Sequence, residues 1–450
     1  MAQVVVIGAG LGGLPTAYEL RHWLKGGHQV TLVSNRSQFT FIPGLIHVAL
    51  GKIPLDRVQL DLASLCQRHG LNWVDSAVER VDPDRRIVRL ANHQTLDYDY
   101  LVIASGPSFA FDEIPGLGPH GGYTQSVCNP AHALEAREAW ESFLKNPTDL
   151  VVGAAPKTGC LGPAYEFALA ADQALRKRGL RDRVTITYIT PEPYAGYLGL
   201  PDLYLARELT EGVLEEQGVK VVTNAAIAQV FPDRVELADG RQFLFGYAMI
   251  LPAFRGADYV QVSGLGNDRG FIPILPTQRH RDYERIYALG VSVQLEQPYR
   301  TPVPIGLPKS GQMSEAMGAA VAHNIAVDLG TLSGPHQIPT LEALCFAEMG
   351  QTGIAYIAAP ILPDPVSGRR RYSYATRGAW VNWAKAAFER YFLLKMKWGL
   401  GLPWFELWGL KLLFGLSLLR PISPSDQSDT PPTLHAPHHA SDSVELTRYR

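Results

Sequence analysis

A chain that opens on a β-branched apolar run and breaks at once into glycines has few folds open to it. Val4-Val5-Val6-Ile7 is such a run, suited to a parallel strand buried on both faces. It leads into Gly8-Ala9-Gly10-Leu11-Gly12-Gly13, after which Ala17, Leu20 and Leu24 recur at helical spacing. Strand, glycine turn and helix therefore stand in the order that a dinucleotide site requires. Gly8 permits the tight turn, Gly10 lets backbone approach a pyrophosphate, Gly13 allows close helix packing, and the helix N-terminus faces the anion.

The second strand, from Gln29 to Val33, ends not in an acidic residue but in Ser34-Asn35, whose hydroxyl or amide can still bond a ribose. Farther on, the apolar strand around Leu101-Val102-Ile103 breaks into Ala104-Ser105-Gly106. That turn resembles one in the flavoprotein disulfide reductase superfamily, which has two dinucleotide domains and lays this turn against FAD. The resemblance implies FAD rather than NAD as the cofactor. It also implies that Ala77 and Val78 lie against the adenine, and that Ile42 and Pro43 belong to the cofactor site.

Leu150-Val151-Val152-Gly153 opens a second strand, and Ala164 to Lys177 a second helix, as in another dinucleotide fold. The intervening turn, Gly153-Ala154-Ala155-Pro156-Lys157-Thr158-Gly159-Cys160-Leu161-Gly162, lacks the fingerprint, and Pro156 has no N–H to give a phosphate. The reading is a domain that kept the fold and lost NAD(P)H, so that electrons must come from another donor. Cys160 falls close to a helix N-terminus, a position that favours a thiolate, with Glu166 on the same helix. A small buried hydrophobe is the competing reading of that cysteine.

With these motifs in order, residues 1 to about 420 resemble sulfide:quinone oxidoreductase, the membrane-associated member of the superfamily. The resemblance runs through Gly159 to Glu166, Pro191 to Leu200, Thr301 to Gly311 and Cys345 to Gly350, and ends between Trp380 and Lys411. It implies three functional cysteines, Cys128, Cys160 and Cys345, and leaves Cys66 as core. Cys160 and Cys345 would form the redox pair, bridged directly or through extra sulfur. Hydrosulfide would attack that bridge to leave a persulfide on Cys160 and a flavin-attacking thiolate on Cys345, or the reverse, with polysulfide or sulfur as product. His132 matches a histidine that the family retains near sulfide entry, where an imidazole can shuttle protons near neutral pH, with a surface helix residue as the competing reading; Tyr197 replaces a second family histidine, and a phenol titrates far higher. Val291, after Gly290, stands where the superfamily has an aspartate, so the remaining FAD contacts would come from backbone there, from Gly311 and from Lys309 as a charge partner of the reduced flavin.

Residues 380–419 hold ten of the 43 aromatics, including Trp380, Trp383, Trp398, Trp404 and Trp408. Charges interrupt every apolar run, so no transmembrane helix fits. Two helix-sized pieces, about 379–398 and 403–419, have the composition of helices lying in a bilayer interface. There Phe346, Phe388, Tyr391, Phe392 and Phe405 are candidates to line a quinone pocket. The competing reading is a pair of amphipathic helices closing a dimer or a core.

Of the 450 residues 46% are apolar, and the net charge is −2, which excludes a phosphate-backbone reader; no nucleic-acid partner is expected. Four cysteines without a C-x-x-C pair exclude a disulfide scaffold and an evident zinc module, and no metal is expected. The strand starting at Gln3 leaves no space for a cleavable leader.

The expected architecture is α/β, with two tandem Rossmann-like domains of the FAD-binding type and a C-terminal amphipathic-helix membrane-attachment region. Its divisions are 1–148 (FAD-binding, first part), 149–270 (degenerate Rossmann), 271–340 (FAD-binding, second part), 341–420 (Cys345, quinone and membrane) and 421–450 (disordered). The resemblance implies sulfide, membrane quinone and lipid as partners, a homodimer or homotrimer, and peripheral, monotopic attachment to a prokaryotic inner membrane. A type II NADH:quinone oxidoreductase is the alternative; the lost glycine turn and the three cysteines count against it.

Overall fold

The computed structural model describes residues 1–364 and 367–427. The opening strand, Gln3–Ile7, is the centre of a five-stranded sheet ordered Ile286–Ala288, Tyr100–Ile103, Gln3–Ile7, Gln29–Ser34, Asn72–Asp75, with every neighbour parallel. Val4 and Val6 are wholly buried, as the uninterrupted apolar run predicts; each such side chain contributes roughly 1.5–3 kcal/mol relative to exposure. Helix Gly13–Leu24 packs on helix Gly311–Asp328. They approach so closely that a Cβ on Gly318 would lie 1.9 Å from Thr16 Oγ1.

A second parallel sheet, ordered Val219–Val222, Ile186–Ile189, Leu150–Ala154, Tyr247–Leu251, is inserted in the chain before Ile286–Ala288 returns to complete the first. Helix Gly162–Lys177 packs on it. Next comes an antiparallel sheet of Ala343–Met349, Thr352–Ala359 and Tyr372–Gly378. Its first strand packs against both helix Gly162–Lys177 and helix Trp380–Trp398, which are joined by the Lys385–Glu166 ion pair. That packing brings residues from three distant stretches of chain to one place.

The second C-terminal helix is shorter than its composition suggests. It spans Trp404–Phe414 and stops because Gly415 turns left-handed, at φ +67°. It buries none of its side chains: Trp404 is 77% exposed and Leu413 74%. Helix Trp380–Trp398 differs, burying Val381, Phe392, Lys395 and Met396 while Trp383 projects outward. Among the described residues no helix is long and apolar enough to cross a membrane.

Leu419–Pro421 pairs antiparallel with Gln337–Pro339, and Pro424–Gln427 forms a 3-10 turn. The stretch expected to be disordered from 421 is therefore ordered as far as 427, because a strand partner is available. Its remainder lies outside the described residues.

Candidate functional site: a dinucleotide cradle beside three cysteines

Gly8, at φ +102°, could carry no side chain, since a Cβ there would stand 2.3 Å from the Ala104 carbonyl oxygen. A Cβ on Gly13 would stand 1.8 Å from the Gly8 oxygen. Gly10 meets nothing within 4 Å, so packing fixes the outer two glycines while the middle one faces open space. The start of helix Gly13–Leu24 lacks a side-chain cap, and Gly311, opening the partner helix, comes up against Leu11. Two helix N-termini thus adjoin one glycine loop, which includes Ala9 and Gly12 and suits an anion.

Around that loop, Ala104 N–H donates to Ile7, and Gly106 N–H donates to Ser292 Oγ at 3.2 Å. Ser105 Oγ accepts from Tyr259 at 3.0 Å. Neither Ser292 nor Tyr259 carries a sequence signal, because only folding brings them to this turn. Ser34 Oγ is engaged in its own turn with Arg36, whereas Asn35 is exposed. Ser76 N–H donates to the Ser34 carbonyl and so carries Ala77 and Val78 alongside. Ile42 and Pro43 lie in the 3-10 turn Ile42–Gly44. Gly290 gives its N–H to Met317 Sδ, and Lys309 donates to the carbonyls of Val291 and Val293 over the Phe271 ring. Burial pushes the Lys309 ammonium down to about 7. These residues fit a flavin dinucleotide: an open glycine for the pyrophosphate, helix starts for its charge, and a lysine whose protonation a nearby negative charge would favour.

The second glycine turn is closed. Lys157 N–H donates to the Pro304 carbonyl at 2.6 Å, and Gly306 N–H donates to Thr158. Thr158 Oγ1 donates to the carbonyls of Leu251 and Pro252. Segment 301–308 is thus stitched onto the turn that a second dinucleotide would need. Glu192, beyond strand Ile186–Ile189, is wholly buried and accepts from Tyr165, Thr190 and the Leu198 N–H. Its carboxylate is turned inward, away from any ribose.

Cys160 lies just before Leu161, the N-cap of helix Gly162–Lys177, and a Cβ on Gly162 would stand 3.8 Å from Cys345 Sγ. Cys345, Cys128 and Glu166 all act electrostatically on Cys160. All four cysteines are free thiols, and Cys66 is buried core. The expectation of a thiolate favoured by the helix dipole is not met. Burial first, then neighbouring thiols and Glu166, push Cys160 up to about 12; burial and Glu166 do the same to Cys345, against Lys385. Desolvation outweighs a helix start in which Pro163 supplies no N–H. Cys128 is pushed to about 11, mainly by burial.

His132 is no surface residue. It is 5% exposed, lies against the rings of Phe109, Phe111 and His120, and its Nδ1 is 3.3 Å from Ser126 Oγ, which also accepts from Cys128 N–H. Burial lowers it to about 4, so the ring is neutral at physiological pH and cannot rest as the charged form of a shuttle. Burial raises Tyr197, to about 12.

The tail aromatics do not form one cluster. Phe346 meets Trp380 and Phe414; Phe388 and Phe392 join Phe41, with Phe392 also on Phe39; Tyr391 and Phe405 pair elsewhere. Phe392, 2% exposed, is core. Tyr391 donates to Glu406, which with Glu315 holds the wholly buried Lys395. Composition gave no sign of that charged centre.

Two parallel dinucleotide-type sheets, an open glycine loop on one and cysteines at the closed turn of the other define a pyridine nucleotide-disulphide oxidoreductase. The model of that family matches residues 2–317, and the chain belongs to it. A sulfide-quinone reductase of Aquifex aeolicus (strain VF5) is 34% identical over 411 residues, 90% of this chain and 93% of its own. The crystal structure of the sulfide:quinone oxidoreductase of Aquifex aeolicus superposes with a TM-score of 0.89 at 33% identity, covering 94% of this chain and 97% of that one. A type II NADH:quinone oxidoreductase of Staphylococcus aureus is more distant, at 25% identity over 72% of this chain and 81% of its own. Within the family, the chain falls among the sulfide:quinone oxidoreductases.

Proposed function

We propose that this protein oxidises sulfide and passes the electrons to a membrane quinone. The observation that carries the reading is the pairing of a closed nicotinamide turn with Cys160, Cys345 and Cys128 beside an open dinucleotide cradle. FAD is the cofactor we assign to that cradle, held by the Gly8–Gly13 loop, the Ala104–Gly106 turn, Ala77, Val78, Gly311 and Lys309. When bound it supplies a two-electron acceptor. The chain's own residues do the sulfur chemistry: Cys160 and Cys345 form the sulfur bridge, hydrosulfide opens it, and Glu166 takes up the proton.

Attachment to a bilayer through helices Trp380–Trp398 and Trp404–Phe414 is part of the proposal. The exposed Trp383, Trp404, Trp408, Leu412 and Leu413 support it as an interfacial apolar face. Phe346 with Trp380 and Phe414, and Phe388 beside Phe41, are the aromatic groups we assign to quinone. Anaerobic absorbance of detergent-solubilised protein tests the whole reading. Sulfide alone should bleach the flavin and a short-chain quinone should restore it, whereas bleaching by NADH alone would replace it with the NADH:quinone reading.

A further inference from the structure

We propose that Lys385 is a positioning residue that fixes Cys345, rather than Cys160, as the thiolate of the sulfur pair, by becoming the counter-ion of the Cys345 sulfur once Glu166 takes up a proton. The proposal deepens the sulfide reading above and rests on it. Lys385 Nζ donates to Glu166 Oε1 at 2.5 Å, and the same oxygen accepts the Glu348 N–H at 3.0 Å. Glu348 and Cys345 lie on the one strand, Ala343–Met349. A single carboxylate oxygen therefore ties Lys385 to the strand that carries Cys345.

Helix geometry brings the charge and the sulfur together. Gly162 and Glu166 stand one turn apart on helix Gly162–Lys177 and so share a face. A Cβ on Gly162 would lie 3.8 Å from Cys345 Sγ. The Cys345 sulfur and the Glu166 carboxylate thus occupy successive positions along that face, with the Lys385 ammonium on the carboxylate. The side chains of Lys385 and Glu166 are 14% and 10% exposed, so water screens this group little and each charge acts strongly on the next.

The groups that face Lys385 come from three elements: Glu166 from helix Gly162–Lys177, Glu348 and Cys345 from the strand, and the cation Lys52 from just after helix Leu45–Ala49. Burial opposes the charge of Lys385, but Glu166, Glu348 and Cys345 together hold the ammonium above its ordinary value. Glu348 is already committed to His47 at 3.2 Å and to Lys52 at 3.8 Å. Once Glu166 is neutral, the Cys345 sulfur is the acidic group left to Lys385. The two cysteines differ in this respect. Burial raises both, but Lys385 favours the thiolate of Cys345, whereas the neighbours acting on Cys160 are Cys345, Cys128 and Glu166, all of which oppose its ionisation.

The step balances. Hydrosulfide attacks the Cys160 sulfur, a new S–S bond forms there, and the Cys160–Cys345 bond breaks with its electron pair left on Cys345. The incoming sulfur is oxidised and the Cys345 sulfur reduced. The persulfide proton passes to the Glu166 carboxylate, which frees Lys385 for the new thiolate. Two negative charges enter the step, on hydrosulfide and Glu166, and two leave it, on Cys345 and the persulfide. The lysine stays charged throughout and changes only its partner.

The test titrates the Cys345 thiol in holoenzyme carrying Cys160→Ser, which cannot form the bridge. Thiolate is read as ultraviolet absorbance from about pH 6 to pH 10, less that of the same protein with Cys345→Ser. With Glu166 intact the thiol should stay protonated through most of that range. Adding Glu166→Gln, a stand-in for the protonated carboxyl, should lower the midpoint by roughly two pH units. Lys385→Gln on top should raise it again by about one unit or more, and Lys385→Arg should leave it low. Retained flavin absorbance checks each fold, and Lys385→Met, with the same expectation, replaces Lys385→Gln if that variant loses flavin. A midpoint that Glu166→Gln does not lower, or that stays low without the lysine, would overturn the proposal. Failure of the wild type to bleach with sulfide would instead strike the sulfide reading, whatever the thiol midpoints.

Discussion

The backbone N–H of Lys157 is hydrogen-bonded to the Pro304 carbonyl at 2.6 Å. A turn that elsewhere in this fold class meets a pyrophosphate meets the chain's own segment 301–308. NADH at millimolar concentration is accordingly expected to leave the flavin spectrum unchanged without oxygen, and saturable bleaching by NADH would show that the segment yields.

Cys160→Ala and Cys345→Ala should each remove nearly all sulfide-dependent bleaching and still retain flavin, since the cysteines lie beside the cradle rather than in it. Cys128→Ala should slow turnover less. Normal turnover in either of the first two would break the assigned pair, with stopped-flow absorbance as the readout.

Acid stability should depend on His132. Its folded value is lowered to about 4 from an ordinary 6.5. The unfolded state therefore binds the proton first, and stability is lost as pH falls from about 6.5 to 4, by at most about 3 kcal/mol. His132→Gln should show a smaller drop in melting temperature between pH 7 and pH 4.5 than the wild type; an equal drop would assign the acid lability elsewhere.

Lys395 joins helix Trp380–Trp398 to the cofactor-side helix through Glu315, 2.5 Å away, and also holds Glu406. Removing a buried cation leaves uncompensated carboxylates, so Lys395→Met should destabilise by about 3–5 kcal/mol. Lys395→Met with Glu315→Gln should regain part of that loss, as measured by flavin release on heating.

Deleting the chain after Gly378 would strip Phe392, Met396 and Lys395 from the interior as well as the exposed face. Surface substitution is therefore the cleaner test of attachment. Trp404→Ser, Trp408→Ser and Leu413→Ser together should release the protein from sedimenting lipid vesicles while sulfide still bleaches the flavin. Undiminished sedimentation would refute the interfacial helices.

What was legible in the sequence was whatever is encoded by near neighbours. The Val4–Ile7 strand, the Gly8–Gly13 turn and the helix after it depend on contacts within some twenty residues, so their spacing states the fold. The missing glycines after Gly153 likewise announced the altered second turn. Tertiary structure alone decided what the titratable groups experience. Position at a helix start suggested an acidic Cys160 thiol, and the resemblance suggested a His132 able to take up protons near neutral pH, but burial raises the first and lowers the second, because desolvation is set by residues such as Cys345 and Phe109 that are remote in sequence. The closure of Lys157 by Pro304 and the Lys395 centre depend on the same long-range packing. No local pattern of residues records which distant carbonyl or carboxylate will be brought within hydrogen-bond reach.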